Sequence, residues 1–201
     1  MSEPSSSGPL RAYTLREAQY YLTVTSCPGC GKGPWLVDST DVRQRPPGLA
    51  VIQTHCKNCQ VRREFQFLCE HETSHNAAGT EVINPTGRPS RLVDLGQWLS
   101  LFYLLVESAA SDTSPAVTRR EGYQAALCLG EALKFYGDNE LPSESAFFSE
   151  TTAAVFRKQP EKFARQKLQD MQAKLPALHV MARNVARDER RTNRSWWRFW
   201  Q

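Results

Sequence analysis

Four of the six cysteines stand in two Cys-x-x-Cys pairs, Cys27/Cys30 and Cys56/Cys59, with 25 residues between Cys30 and Cys56. A two-residue gap lets both sulfurs of a pair reach one ion from a tight turn. Two such turns complete the tetrahedral thiolate set that zinc prefers, at Zn–S of about 2.3 Å. Pro28 fixes φ on the way into the first knuckle, and Gly31 permits the positive φ that aims backbone N–H groups at sulfur. Lys32 and Lys57 stand where they offset the net negative charge of four thiolates around a divalent ion. The second knuckle departs from the ideal, because Gln60 occupies the position where glycine is expected. Four protein ligands leave no position for an activated water, so the spacing predicts one structural zinc ion and no catalysis by the metal.

The remaining candidates for chemistry are sparser. Cys69, His71 and His75 lie close enough in sequence to begin a second metal site, but a fourth ligand is missing, and a strand ending in cysteine explains them equally well. His55, just before Cys56, is expected to pack or hydrogen-bond beside the knuckle. Cys128 falls in an apolar helical stretch and reads as a small hydrophobe. There is no glycine-rich phosphate loop, no serine nucleophile elbow and no metalloprotease helix, so no enzyme is expected.

The order of strand, Cys27-Pro28-Gly29-Cys30-Gly31 knuckle, hairpin, Cys56-Lys57-Asn58-Cys59 knuckle and strand resembles the zinc ribbons over about residues 18–70. Rubredoxins also use two such pairs to hold iron, which makes iron the alternative metal. They are compact and acidic, however, and usually carry Cys-Pro-x-Cys-Gly at the second knuckle. Some transcription-elongation ribbons project an adjacent Asp-Glu pair from the hairpin tip; here Asp38 and Asp41 are separated and Arg43 and Arg45 dominate the loop, so that role is not implied. Ile83-Asn84-Pro85-Thr86, Leu95-Gly96-Gln97-Trp98-Leu99 and Glu131-Ala132-Leu133-Lys134-Phe135-Tyr136 resemble parts of uncharacterised bacterial proteins with an N-terminal zinc ribbon and a helical C-terminal region. That resemblance implies an architecture and no activity.

The elements that must position these residues divide the 201-residue chain into five stretches. Residues 1–12 are rich in Ser, Pro and Gly and read as disordered. Residues 13–70 read as strands, with Tyr20, Leu22 and Val24 alternating against Tyr21, Thr23 and Thr25. Residues 71–90 read as a linker. Residues 91–182 turn to helical periodicity, with apolar faces from Leu92 to Ala110 and from Val117 to Tyr136, a stop at Gly137-Asp138-Asn139, a short capped segment through Phe156, and a helix opened by Pro160. Residues 183–201 form a basic aromatic tail. The fold class is therefore α+β: a small N-terminal antiparallel β ribbon followed by about four helices.

Composition limits the function classes. The formal net charge of +4 is mild and concentrates in the tail, where six arginines from Arg183 to Arg198 face Asp188 and Glu189. A uniformly basic nucleic-acid binder has a different distribution. No stretch approaches the roughly 18 consecutive apolar residues of a membrane span, and the N-terminus lacks a secretory pattern, so a reducing, cytoplasmic setting is expected. The leading expectation is a non-enzymatic zinc protein whose ribbon is a structural or protein-interaction module and whose partner is another protein. The alternative is nucleic-acid binding through Arg43, Arg45, Arg62, Arg63 and the tail residues Arg194, Trp196, Trp197, Arg198 and Trp200, since guanidinium groups neutralise phosphates and rings stack on unpaired bases. The same tail composition suits a membrane surface, where Trp sits at headgroup level.

Overall fold

The structure, a computed structural model, describes residues 8–43, 47–71 and 82–197, with side chains as far as residue 189. Arg45, His75, Arg198 and Trp200 lie outside the described residues, as do the side chains of Arg194, Trp196 and Trp197. The described chain forms two compact units. One holds the N-terminal sheet with the segments Val82–Thr86 and Ser90–Val93, and the other holds the helices from Asp94 onward.

The first unit has a four-stranded sheet in the order β1-β4-β3-β2, built from β1 (Leu10–Ala12), β2 (Trp35–Arg43), β3 (Leu49–Cys56) and β4 (Arg62–Cys69). Strands β2/β3 and β3/β4 are antiparallel, but β1 runs parallel to β4, so the sheet is mixed and not the antiparallel ribbon expected. The parallel strand comes from a segment that reads as disordered. Ala12 is buried and its carbonyl accepts the Glu70 N–H, which ties the chain start to the far end of β4.

A second correction falls at Leu15–Val24, expected as a strand and found as helix α1. Thr14-x-x-Glu17 is the local reason: the Thr14 hydroxyl accepts the Glu17 N–H while the Glu17 carboxylate reaches back to the Tyr13 N–H, satisfying helix-end donors that a strand would leave open. The alternation of Tyr20 and Leu22 is real, but Ala18 and Leu22, four apart, share the buried face. That face lies on Trp35, Ile52, Phe65 and Phe67 of the sheet, with Tyr21 edge-on to Phe65 and Phe67. Part of the stretch that reads as linker also belongs to this unit, since Ile83 is buried and its carbonyl accepts the Thr14 hydroxyl; so do the first residues of the stretch expected as helical, where Val93 is buried and Arg91 pairs with Glu70 at 3.0 Å.

The hairpin between β2 and β3 turns at Gly48, whose φ is +78° and whose added Cβ would lie 2.4 Å from the Cys69 carbonyl oxygen. Both the backbone angle and the close approach require glycine.

The second unit contains α2 (Leu95–Ser111), α3 (Pro115–Leu133), α4 (Glu150–Lys158), α5 (Arg165–Ala173) and α6 (Leu178–Trp197), with 3-10 turns at Glu144–Ala146 and Pro160–Phe163. Five α-helices among the described residues of this unit replace the four expected. The fifth is α6, and the helix expected from Pro160 is itself divided after Phe163 into a 3-10 turn and α5. The Phe163 carbonyl accepts the Tyr136 hydroxyl at 2.9 Å, and the Arg165 and Gln166 N–H groups go to the backbone and side chain of Glu140. Groups that would have continued one helix are thus used to end a turn and cap a new helix. The stretch 183–197, read as a tail, continues α6, which packs Ala182 and Val185 on Tyr123 of α3 and pairs Asp188 with Arg119 at 2.7 Å. No helix among the described residues is long and apolar enough to cross a membrane.

Asp94 fastens this unit. It is fully buried, accepts the Gln97 N–H at 2.8 Å as the α2 cap, and takes the Phe148 N–H and the Thr152 hydroxyl on its other oxygen at 3.0 and 2.6 Å. Asp94→Ala removes both acceptor oxygens and all three hydrogen bonds at once and is expected to cost about 2–4 kcal/mol, read as a lowered urea midpoint of the helical circular-dichroism signal. Thr152→Val, which removes one of the three, is expected to cost about 1 kcal/mol.

Candidate metal centre

Both knuckles are built by one hydrogen-bond plan. In the first, the Gly31 N–H donates to the Cys27 carbonyl at 2.7 Å and the Cys27 N–H to the Lys32 carbonyl. In the second, the Gln60 N–H donates to the Cys56 carbonyl and the Cys56 N–H to the Val61 carbonyl, each at 2.9 Å. The Lys57 N–H reaches the Pro34 carbonyl at 3.0 Å and ties one turn to the other. The leading cysteines close the turns onto the sheet: Cys56 ends β3, Trp35 opposite it begins β2, and Cys27 and Cys56 are fully buried in the core of α1 and the sheet.

The four sulfurs converge. All lie within 4.8 Å of one another, with Cys27 and Cys59 3.6 Å apart and Cys30 and Cys56 3.7 Å apart. A tetrahedron with metal–sulfur bonds of about 2.3 Å has sulfur–sulfur edges of roughly 3.8 Å, whereas a disulfide measures about 2.05 Å. None of the six cysteines is in a disulfide. The spacing is that of a metal site and not of a disulfide framework.

Ionisation makes the same point. The Lys32 N–H lowers the Cys30 thiol to about 7 against partial desolvation, helped by the Asn58 side chain, Cys59 and Cys56. At Cys59 the Val61 N–H also favours the thiolate, but desolvation and the neighbouring thiols of Cys30, Cys27 and Cys56 together push it up to about 12. Hydrogen bonds among the crowded thiols thus favour the thiolate at one sulfur and the proton at another, and a bound divalent cation would favour the thiolate at all four. The residue two places after the second cysteine of each knuckle, Lys32 or Val61, supplies the N–H. Asn58 is the one contributor that the spacing of the cysteines gives no sign of.

Gln60 answers the departure noted in the sequence. It adopts φ of 62°, the left-handed angle that Gly31 takes at 70° in the first knuckle. Its side-chain amide donates to the Lys57 carbonyl at 3.1 Å, a local compensation. The turn dictates the angle, and the residue bears the strain.

The other sequence candidates are dispersed. His55 pairs with Asp38 at 2.6 Å and supplies no ligand. The four knuckle cysteines are the metal-competent group among the described residues. Cys69 lies beside Glu17, its thiol pushed up to about 11 by burial and by that carboxylate, and His71 stacks on Tyr13. Arg43 ends β2 opposite Leu49, while Arg62 begins β4 opposite His55. Six residues of β3 separate those two registers, about 20 Å along the sheet, so the hairpin and β4 arginines do not form one surface. Arg63 lies over the Phe65 ring at 4.8 Å, and Arg43 pairs with Asp41 at 3.5 Å. Cys128 is buried in α3. No protein-family model, curated protein or solved structure matches this chain.

Gln60→Gly is expected to raise the unfolding midpoint of the metal-loaded first unit, by about 1 kcal/mol, because the relief of left-handed strain exceeds the added freedom of the unfolded glycine. Near-UV circular dichroism of Trp35 and its neighbours during denaturant titration reads this directly. A lower midpoint would mean that the amide bond to Lys57 outweighs the strain.

Proposed function

We propose that this protein is a non-enzymatic binding module whose first unit is held together by one structural zinc ion on Cys27, Cys30, Cys56 and Cys59. The convergence of four sulfurs from two matching knuckles carries the proposal. Four thiolates fill a tetrahedral site and leave no coordination position for substrate or water. Zinc is favoured over iron by exposure: Cys59 is open to solvent, where a redox-active iron would meet oxidants and zinc has no redox state to lose.

A partner protein is favoured by what the sheet leaves uncovered. Among the described residues, strand β2 is an edge of the sheet. Trp35 joins the core, but Val37 and Val42 on the same face remain 44% and 58% exposed. An edge with unused backbone groups and exposed β-branched side chains is the form in which a sheet accepts a further strand.

Purified protein is expected to contain about one zinc per chain by elemental analysis, with the metal lost from Cys→Ser variants at any of the four positions. Chelation is expected to abolish the near-UV signal of the sheet unit while leaving most of the far-UV signal of helices α2–α6. Stoichiometric iron with a visible absorption band would refute the zinc assignment, and a fully folded, metal-free sheet unit would refute the structural role. The partner reading is tested separately. Val37→Asp with Val42→Asp is expected to lose partners captured by the wild-type chain at unchanged zinc content.

A further inference from the structure

The knuckle end of the first unit differs in charge from the rest of it. Residues 26–37 and 54–63, which form the two turns and the strand ends that carry them, contain Lys32, Lys57, Arg62 and Arg63 and no carboxylate. All four cationic residues are exposed. The carboxylates of this unit, among the described residues, are Glu17, Asp38, Asp41, Glu64 and Glu70. Each is engaged: Glu17 by the Tyr13 N–H, Asp38 by His55, Asp41 by Arg43, Glu64 by Gln53 and Gln66, and Glu70 by Arg91. The convergence of the two knuckles therefore gathers four cations at one end of the sheet, flanked by two carboxylates that are already engaged, Asp38 by His55 and Glu64 by Gln53 and Gln66. Residues 26–37 and 54–63 themselves stay positive even after the net negative charge of a zinc tetrathiolate.

We propose that the knuckle end, through Lys32, Lys57, Arg62 and Arg63, is a binding surface for the phosphodiester backbone of nucleic acid. Lysine ammonium groups act on phosphates as point charges, and arginine adds a bidentate fork. The first knuckle also permits close approach, since Gly29, Gly31 and Gly33 are exposed and nothing stands within 4 Å of a Cβ placed at Gly31. A broad, regularly charged polymer gains from such a surface. Base reading is absent from it: the aromatic rings of this end, Trp35 and Phe65, are 3% and 6% exposed, so no base can stack on them. The surface holds backbone without selecting sequence. It needs the knuckles to be folded but not any particular metal in them, so it stands or falls separately from the zinc assignment.

The test uses the full metal-loaded chain and fluorescently labelled 20-nucleotide probes: single-stranded DNA, duplex DNA and single-stranded RNA of unrelated sequences. Binding by anisotropy at about 50 mM salt is expected for several sequences, with log K against log salt falling with a slope of about −3 to −4 on duplex. Lys57→Glu with Arg62→Glu is expected to weaken binding at least about tenfold and to flatten that slope by about two. Arg43→Glu, at the other end of the sheet, is expected to leave both unchanged. Cobalt-substituted variants with the wild-type tetrathiolate spectrum show that the knuckles are intact. Absence of binding at low salt overturns the proposal. So does binding that the double reversal leaves intact, whether or not truncation after residue 189 then abolishes it. A polyglutamate chain of matched charge that binds as tightly as DNA would assign the surface to an acidic protein segment and overturn the phosphate reading.

Discussion

Four thiols brought within 4.8 Å of one another impose the constraint around which the first unit is organised. Two of them, Cys27 and Cys56, are part of the apolar core, and their knuckles set where α1 ends, where β2 begins and how β3 passes into β4. Without a cation the arrangement is electrostatically unfavourable, because each sulfur that ionises raises the cost of the next. With a divalent ion the same crowding becomes a cross-link between chain segments about thirty residues apart. A core of one short helix on a four-stranded sheet is small, and small domains commonly depend on such a link.

The same convergence of the two knuckles determines surface chemistry. Lys32 belongs to one knuckle, and Lys57, Arg62 and Arg63 belong to the other and to the strand that leaves it. In sequence they are separate single charges and one pair. On the folded unit they share the knuckle end of the sheet, where the flanking carboxylate Asp38 is taken by His55, while Arg43 is carried to the opposite end by the register of β2 on β3. The electrostatics of the unit therefore follow from strand register and the convergence of the knuckles more than from net charge.

The helical unit depends on a different device, a single buried carboxylate. Asp94 caps α2 and binds the backbone and side chain at the start of α4, so one residue fixes both the beginning of a helix and its neighbour in space. Gly96 belongs to the same contact, because a Cβ there would lie 2.9 Å from the Thr152 side chain. Asp94-x-x-Gln97 can be recognised in the sequence as a capping pattern; its second set of partners, more than fifty residues away, cannot.

Local rules were enough for much of this protein. The spacing of the cysteines showed which four sulfurs would meet, helical periodicity gave α2 and α3, and the breaker ending at Gly48 marked the turn into β3, because each depends on residues a few places apart. The α+β class followed from the same patterns. The errors arose where short signals competed. Tyr20, Leu22 and Val24 alternate like a strand, but the Thr14–Glu17 cap makes the segment helical, and a capping pair at the right spacing outweighs five residues of alternation. Leu10–Ala12 became a strand only because β4 presents a parallel edge to it, and the helix expected from Pro160 onward broke because Tyr136 and Glu140 claim its backbone groups. Those outcomes rest on hydrogen-bond partners distant in sequence. The two cysteine pairs alone determined which atoms would meet; only the tertiary structure decided that Gln60 would carry a left-handed turn, and which cations would stand beside the four sulfurs.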